Sequence, residues 1–117
     1  MKLRLNDASV RLRCRRSEVE AFAQSGLLET TTPFPNGRNL RIVLCASDAK
    51  DLHVFFTGED LNVTVPRDVA HTWTATDEVG IYGREGSLDI LIEKDFRRTT
   101  LPSPDDADRY LNPRSPK

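Results

Sequence analysis

The sequence has only two cysteines, few aromatic residues (7%), no long apolar run and a formal net charge of −1. Two cysteines are too few for a disulfide framework and favour a reducing compartment. No apolar stretch approaches the roughly 18 residues of a membrane-spanning helix, and the first residues lack the apolar segment of a secretory signal. The near balance of charges excludes a polycationic nucleic-acid binder or a polyacidic protein. These absences predict a cytoplasmic protein with no membrane segment.

The length of 117 residues and a hydrophobic content of 38% suit one compact domain with a modest core. We expect this domain to occupy residues 1–98. Residues 99–117 contain four of the seven prolines and an acidic cluster at residues 105–108. Because such a segment buries too little apolar surface to order itself, it is predicted to be a disordered, flexible C-terminal tail unless Tyr110–Leu111 docks onto the domain.

Alternation of apolar and polar residues predicts most of the secondary structure as strands. Residues 2–15 are expected to form a hairpin, because apolar residues alternate with lysine and arginine on both sides of an Asn-Asp-Ala-Ser turn. Further strands are predicted over residues 27–32, 39–46, 52–57, 60–65, 79–82 and 88–93.

Two short helices interrupt the strands. The first is predicted over residues 17–25, with Ser17 and Glu20 as a capping box and Gly26 as its stop. The second is predicted from Asp68 to about Ala75. The resulting order, ββαββ followed by ββαββ, predicts a mainly β (α+β) fold.

The two halves of the chain align with each other. An offset of 51 pairs the inward positions of the first and second hairpins, and it also pairs four residues of the helices: the expected N-caps Ser17 and Asp68, and the aromatics Phe22 and Trp73. An offset of 48 pairs residues 40–44 with residues 88–92. Alternating patterns align easily, but matching caps and aromatics favour duplication. We therefore predict repeats over residues 1–48 and 51–96, forming one pseudo-two-fold barrel.

Residues 61–69, 77–81 and 88–92 resemble the AbrB/MazE swapped-hairpin pattern, in which a strand ends in Val/Ile-Pro, a short helix follows and a turn starts a final hairpin. Residues 1–5 and 9–13 are similar to the opening of the same family. Protomers of that family pair to close one barrel and bind DNA through basic faces. The resemblance therefore implies a single-chain pseudo-dimer.

The whole chain also looks like a small bacterial family of uncharacterised proteins. The likeness is carried by the K-L-R start, the V-R-L-R and S-E-V stretches near the N-terminus, and the E-K-D-F ending at residues 93–96. This resemblance implies no activity.

A cluster of basic residues near the N-terminus is the best candidate site, as a nucleic-acid or partner-binding surface. Residues 1–50 carry nine Lys/Arg and five Asp/Glu, whereas residues 51–117 carry eight and thirteen. The candidate residues are Lys2, Arg4, Arg11, Arg13, Arg15 and Arg16. The aligned positions of the second hairpin hold no arginine or lysine but His53, Phe55, Asn62 and Thr64. Half of a symmetric DNA footprint is thus missing, which favours a solvated or protein-facing surface over DNA binding.

No catalytic, cofactor or metal site is predicted. Glu18 and Glu20 are two residues apart on a predicted helix and point apart. His53 and His71 lack any metal-ligand spacing. No Ser or Cys nucleophile has a recognisable base partner.

Trp73, Phe55 and Phe56 are predicted to lie in the core, together with Cys14. A Cys14–Cys45 disulfide stays open but is not favoured in a reducing compartment.

These patterns predict a non-enzymatic interaction or binding module with no cofactor and an undetermined oligomeric state. The alternative is an AbrB/MazE-like DNA-binding regulator, or an antitoxin-like protein.

Overall fold

A computed structural model describes residues 1–96. Its elements in chain order are β1 (Lys2–Asn6), β2 (Ser9–Cys14), α1 (Arg16–Ser25), β3 (Leu27–Pro33), β4 (Asn39–Ser47), β5 (His53–Phe56), β6 (Asp60–Pro66), α2 (Arg67–Ala75), β7 (Gly80–Glu85) and β8 (Leu88–Lys94). Every predicted strand and both helices are therefore confirmed. The predicted tail, with Tyr110–Leu111, lies outside the described residues, and the domain boundary at residue 98 stays a prediction.

The strands form two four-stranded sheets, ordered β1-β2-β8-β7 and β3-β4-β6-β5. Each sheet contains one hairpin from each half of the chain. The two hairpins of a sheet meet through a central parallel pair, β2 with β8 and β4 with β6. The fold is thus mainly β, with two helices.

One core joins both sheets and both helices. Leu12, Leu44, Val63 and Ile92, one from each central strand, are completely buried, as is Trp73 of α2. Burial alternates along β2 because its side chains point to opposite faces of the sheet. Consequently the apolar residues of β2 enter the core and its arginines face outward. No helix within residues 1–96 has the length and hydropathy to cross a membrane.

The sheets do not close into the predicted barrel. Within residues 1–96 they are two separate ladders, with β1 and β7 as the edges of one sheet and β3 and β5 as the edges of the other. The edge strand β5 of one sheet lies beside the edge strand β7 of the other, and there a side chain of β7 accepts a backbone hydrogen bond from β5. The Glu85 carboxylate accepts the Val54 N–H at 2.9 Å, so this edge amide has an acceptor without a strand pairing.

Both helices begin earlier than predicted. The first starts at Arg16 with Arg15 as its N-cap, and the Glu18 carboxylate accepts the Arg15 N–H at 2.8 Å. The predicted box of Ser17 and Glu20 was wrong by two residues, because the chain enters the helix directly after β2. Likewise α2 starts at Arg67 after Pro66, so Asp68 is not its N-cap. Gly26 does end α1, with a left-handed φ of 72° that favours glycine.

Two aromatics predicted to be buried are exposed. Phe55 is 51% exposed and Phe56 is 62% exposed. Both lie on β5, a four-residue edge strand, and Phe55 points away from the core. Leu5, on the edge strand β1 of the other sheet, is as exposed as Phe56, at 62%. By contrast Trp73 and Cys14 are buried as predicted, and both cysteines are free.

Candidate partner-binding face

The outer surface of the sheet β1-β2-β8-β7 carries most of the predicted basic residues. We call it the basic face and define it by seven side chains: Lys2, Arg4, Arg11, Arg13, Tyr82, Leu91 and Glu93. The strand register sets their order. Arg4 lies opposite Arg11, and Arg11 lies beside Leu91, which in turn lies opposite Tyr82.

Two like-charged pairs face each other across the β1–β2 hairpin. Arg4 is the direct cross-strand partner of Arg11, and Lys2 is the direct partner of Arg13. Directly opposed like charges destabilise an antiparallel pair. The hairpin therefore carries an electrostatic cost unless nearby carboxylates offset it.

Glu93 on β8 offsets part of this charge. Its carboxylate lies 3.0 Å from the Arg11 Nε atom and accepts a hydrogen bond of 2.9 Å from the Tyr82 hydroxyl. Burial and the hydrogen bond to Glu93 raise the pKa of Tyr82, so the hydroxyl stays a donor at neutral pH. The Arg11–Glu93 contact does not have hydrogen-bond geometry. The Arg11 Nε atom and the Glu93 Oε1 atom have no hydrogen-bond partner among residues 1–96.

Lys2 is also paired, with its Nζ atom 3.3 Å from the Asp95 carboxylate. Arg4 and Arg13 differ from these two residues, since no carboxylate of residues 1–96 lies within 4.0 Å of either guanidinium group. An open depression of about 600 Å³ runs between them, lined by Lys2, Leu3, Arg4, Arg11, Arg13, Asp95 and Phe96. This depression thus presents two guanidinium groups available to an anionic group.

Arg15 and Arg16 do not join the basic face. They lie where the chain leaves β2 for α1, and they pair with Glu18 at 3.5 Å and Glu20 at 3.9 Å. The structure therefore brings together four of the six predicted residues and separates two. The alternation that places arginines outward ends at Cys14, where the strand ends.

Tyr82, Leu91 and Glu93 were not predicted as site residues. Alternation along β7 and β8 places these three side chains on the outer face, but only the pairing of β2 with β8 puts them beside Arg11. Sequence alternation indicates the face of a residue and says nothing about its neighbouring strand.

The outer surface of the other sheet is different in charge. Arg41 on β4 is held by two carboxylates, Glu29 at 3.3 Å and Asp60 at 3.2 Å. The His53 ring contacts the Glu85 carboxylate at 2.5 Å. The described chain therefore offers no second cluster of opposed cations there, in agreement with the asymmetry expected from the sequence.

Two further titratable groups, Glu18 and Cys14, lie where β2 leads into α1. Burial alone would raise the pKa of Glu18, but hydrogen bonds from the Met1 ammonium and the Arg15 N–H outweigh it, so the pKa is lowered. Burial, with a smaller effect of nearby Glu18, raises the pKa of the Cys14 thiol to about 12. Cys14 is therefore a neutral thiol at physiological pH and a poor nucleophile. Within residues 1–96, no three His, Cys, Asp or Glu side chains cluster as a metal site would require.

The chain belongs to a family of unknown function, DUF7009, whose model matches residues 1–114. This finding confirms the resemblance to an uncharacterised family. No curated protein and no solved structure matches the chain, so the resemblance to AbrB/MazE stays a prediction.

Proposed function

We propose that this member of the family is a non-enzymatic binding module whose basic face docks an acidic segment of a partner protein. The observation that carries the proposal is the strand register of the β1–β2 hairpin, which places Arg4 opposite Arg11 and Lys2 opposite Arg13. An anionic ligand would relieve this repulsion. Arg4 and Arg13 are the anchors, because a guanidinium group binds a carboxylate through two parallel hydrogen bonds.

The neighbours of these cations support a protein partner. Tyr82 is 56% exposed, and Leu91 separates it from Arg11. Tyrosine and arginine are enriched among the residues that dominate the binding energy of protein interfaces. Arg11, Leu91 and Tyr82 thus form a row of one guanidinium, one aliphatic and one aromatic group. Such a row suits a peptide with both carboxylate and apolar side chains.

Duplex DNA is the second candidate. A two-stranded ribbon fits the major groove, and the β1–β2 hairpin carries four cations on one face. However, Glu93 and Asp95 already pair with Arg11 and Lys2. The hairpin is left with two cations, Arg4 and Arg13, that have no carboxylate partner among residues 1–96, and these are too few to neutralise a long row of backbone phosphates. We therefore expect DNA binding no tighter than about 10⁻⁴ to 10⁻⁶ M, with a salt slope of at most about −3.

The experiment is a titration of the ¹⁵N-labelled protein with an octaglutamate peptide and, separately, with a duplex oligonucleotide at 50 and 200 mM salt. We expect the peptide to shift the backbone amides of Arg4, Arg13 and Leu91. The variant Arg4→Glu/Arg13→Glu should lose at least tenfold in affinity, equivalent to about 1.4 kcal/mol. A matched control, Arg38→Glu/Lys50→Glu, makes the same charge change on exposed residues elsewhere and should bind as the wild type does.

Three outcomes decide between the candidates. Peptide affinity that falls only in the first variant supports the acidic partner. Sequence-specific nanomolar DNA binding lost in the same variant would replace the proposal with the AbrB/MazE-like regulator. Equal loss in both variants would show that net charge, and not the basic face, governs binding.

We also propose that the two halves of the chain are duplicated units related by a pseudo-two-fold axis. Exchanging β1, β2, α1, β3 and β4 for β5, β6, α2, β7 and β8 converts the strand order of one sheet into that of the other. The register supports the same exchange. Val10 lies beside Ile90 in one sheet, and offsets of 51 and 48 convert this pair into Leu61 beside Ile42 in the other.

A further inference from the structure

The depression on the basic face begins where the described chain ends. Asp95 and Phe96 line it together with Arg4, Arg11 and Arg13. Another 21 residues follow Phe96 in the sequence. Whatever course they take, they start beside these arginines.

We propose that the acidic segment Asp105–Asp108 of this chain docks on the basic face and competes there with the acidic partner. This inference rests on the proposed function and adds its regulation: the chain carries its own competitor, which a partner must displace.

The segment is long enough to reach every cation of the basic face. Eight residues, 97–104, separate Phe96 from Asp105, and an extended chain spans at most about 3.3 to 3.6 Å per residue. The available reach is therefore about 30 Å. A strand the length of β1, with five residues, spans only about 17 Å.

Charge favours residues 105–108, and these residues alone, as the occupant, because residues 97–117 together carry five Lys/Arg and three Asp. Asp105, Asp106 and Asp108 place three carboxylates within four residues, and Arg4 and Arg13 are the two guanidinium groups with no carboxylate partner among residues 1–96. The aromatic and apolar pair Tyr110–Leu111 follows closely, as Tyr82 and Leu91 follow the arginines along the basic face.

The family match extends through the same segment. It runs to residue 114, twenty residues beyond the end of β8 at Lys94. The matched region therefore includes residues 105–108 as well as the two sheets.

Attachment to the same chain makes even a weak contact effective. A short flexible connection gives an effective concentration in the millimolar range. If the intrinsic dissociation constant is also near millimolar, the docked and free forms are comparably populated, and removing the competitor should raise the affinity for an added acidic peptide about two- to fivefold.

The test uses the full-length ¹⁵N-labelled protein and the variant Asp105→Asn/Asp106→Asn/Asp108→Asn, with octaglutamate as the probe. We expect the variant to shift the amide resonances of Arg4, Arg13 and Leu91 and to bind octaglutamate about two- to fivefold more tightly. The control Asp51→Asn/Glu59→Gln/Glu78→Gln removes three exposed carboxylates elsewhere. It should leave those resonances unchanged.

The outcomes separate this inference from the proposed function. Octaglutamate binding to the basic face that is equal in wild type and tail variant, with no shifted resonances, overturns the inference alone. Resonances that shift in the tail variant, while octaglutamate binds neither protein, support docking and overturn the proposed function. Shifts that depend on protein concentration would show docking on a second copy and overturn docking within one chain.

Discussion

The ring of Phe22 on α1 meets the indole of Trp73 on α2 edge to face, with centroids 6.2 Å apart and planes inclined by 65°. Both side chains are almost completely buried. The indole N–H donates to the Val79 carbonyl at 3.2 Å, and the Lys94 ammonium lies 5.9 Å from the ring centroid. The ring contact joins the two helices at the centre of the core. Trp73 also links them to Val79, just before β7, and to Lys94, at the end of β8.

We expect Phe22→Ala to lower the free energy of unfolding by about 3–5 kcal/mol, because it leaves a cavity beside Trp73. Trp73→Leu removes the indole ring that faces Phe22 and its hydrogen bond to Val79. Urea denaturation of the two single variants and the double variant should give a coupling energy of about 0.5–1.5 kcal/mol. Phe34→Ala, at an exposed phenylalanine, should cost much less. Strict additivity of the two core substitutions would contradict the contact.

Glu85 should control the seam between β5 and β7. Hydrogen bonds from the His53 ring and the Val54 N–H lower its pKa. A lowered carboxyl pKa means that the contact is fully present above the ordinary pKa of 4.5 and is lost as the pH falls through the lower folded value.

Hydrogen exchange of the Val54 amide tests this seam. Exchange, corrected for its intrinsic pH dependence, should accelerate in Glu85→Ala and less in Glu85→Gln, which keeps one acceptor oxygen. Glu59→Ala, at another exposed glutamate, should leave the Val54 amide unchanged. Equal exchange in all four proteins would show that the carboxylate does not hold this edge.

Cys14 should make the protein sensitive to alkali. Its pKa is about 12 when folded, against an ordinary thiol pKa of 9.0, so the unfolded chain loses the thiol proton first. The resulting stabilisation is fully present below pH 9 and declines as the pH rises toward 12, by about 1.4 kcal/mol per pH unit. Cys14→Ala should flatten the fall in unfolding free energy between pH 9 and 10.5. Parallel curves for the two proteins would contradict a buried neutral thiol.

A circular permutant tests the proposed duplication. Lys2 and Asp95 are in contact, so the ends of β1 and β8 are close together. Five residues, 48–52, connect β4 to β5. Under the pseudo-two-fold relationship a connection of equal length, made of Asp95, Phe96 and three added residues, should join Lys94 to Lys2. A chain opened before Asp51 and joined in this way should unfold cooperatively. Opening between Glu20 and Ala21, inside α1, should prevent folding. Failure of the first permutant would argue against the equivalence of the two connections.

Removing the residues after Thr100 should change the melting temperature by only a few degrees. The deleted segment has no core-facing pattern, and losing exposed contacts typically costs under about 1 kcal/mol. A weak electrostatic contact with the basic face fits this limit. Loss of cooperative unfolding in the shortened chain would show instead that the segment completes the core.

The local elements could be predicted from the sequence because their causes are local. Apolar and charged residues alternate in β2 because successive side chains point to opposite faces, and Gly26 ends α1 because glycine tolerates a positive φ. The outward direction of Lys2, Arg4, Arg11 and Arg13 followed from the same alternation.

Only the tertiary structure decided which strands are neighbours. Arg11 and Glu93 are 82 positions apart and meet because β2 pairs with β8. The exposure of Phe55 depends on β5 being a short edge strand, and the open seam beside Val54 depends on a carboxylate taking the place of a strand. Side-chain alternation has a period of two in any strand, whatever strand lies beside it. The sequence therefore determined the elements and their faces, while long-range packing determined the neighbours of each strand and so the charges left without partners.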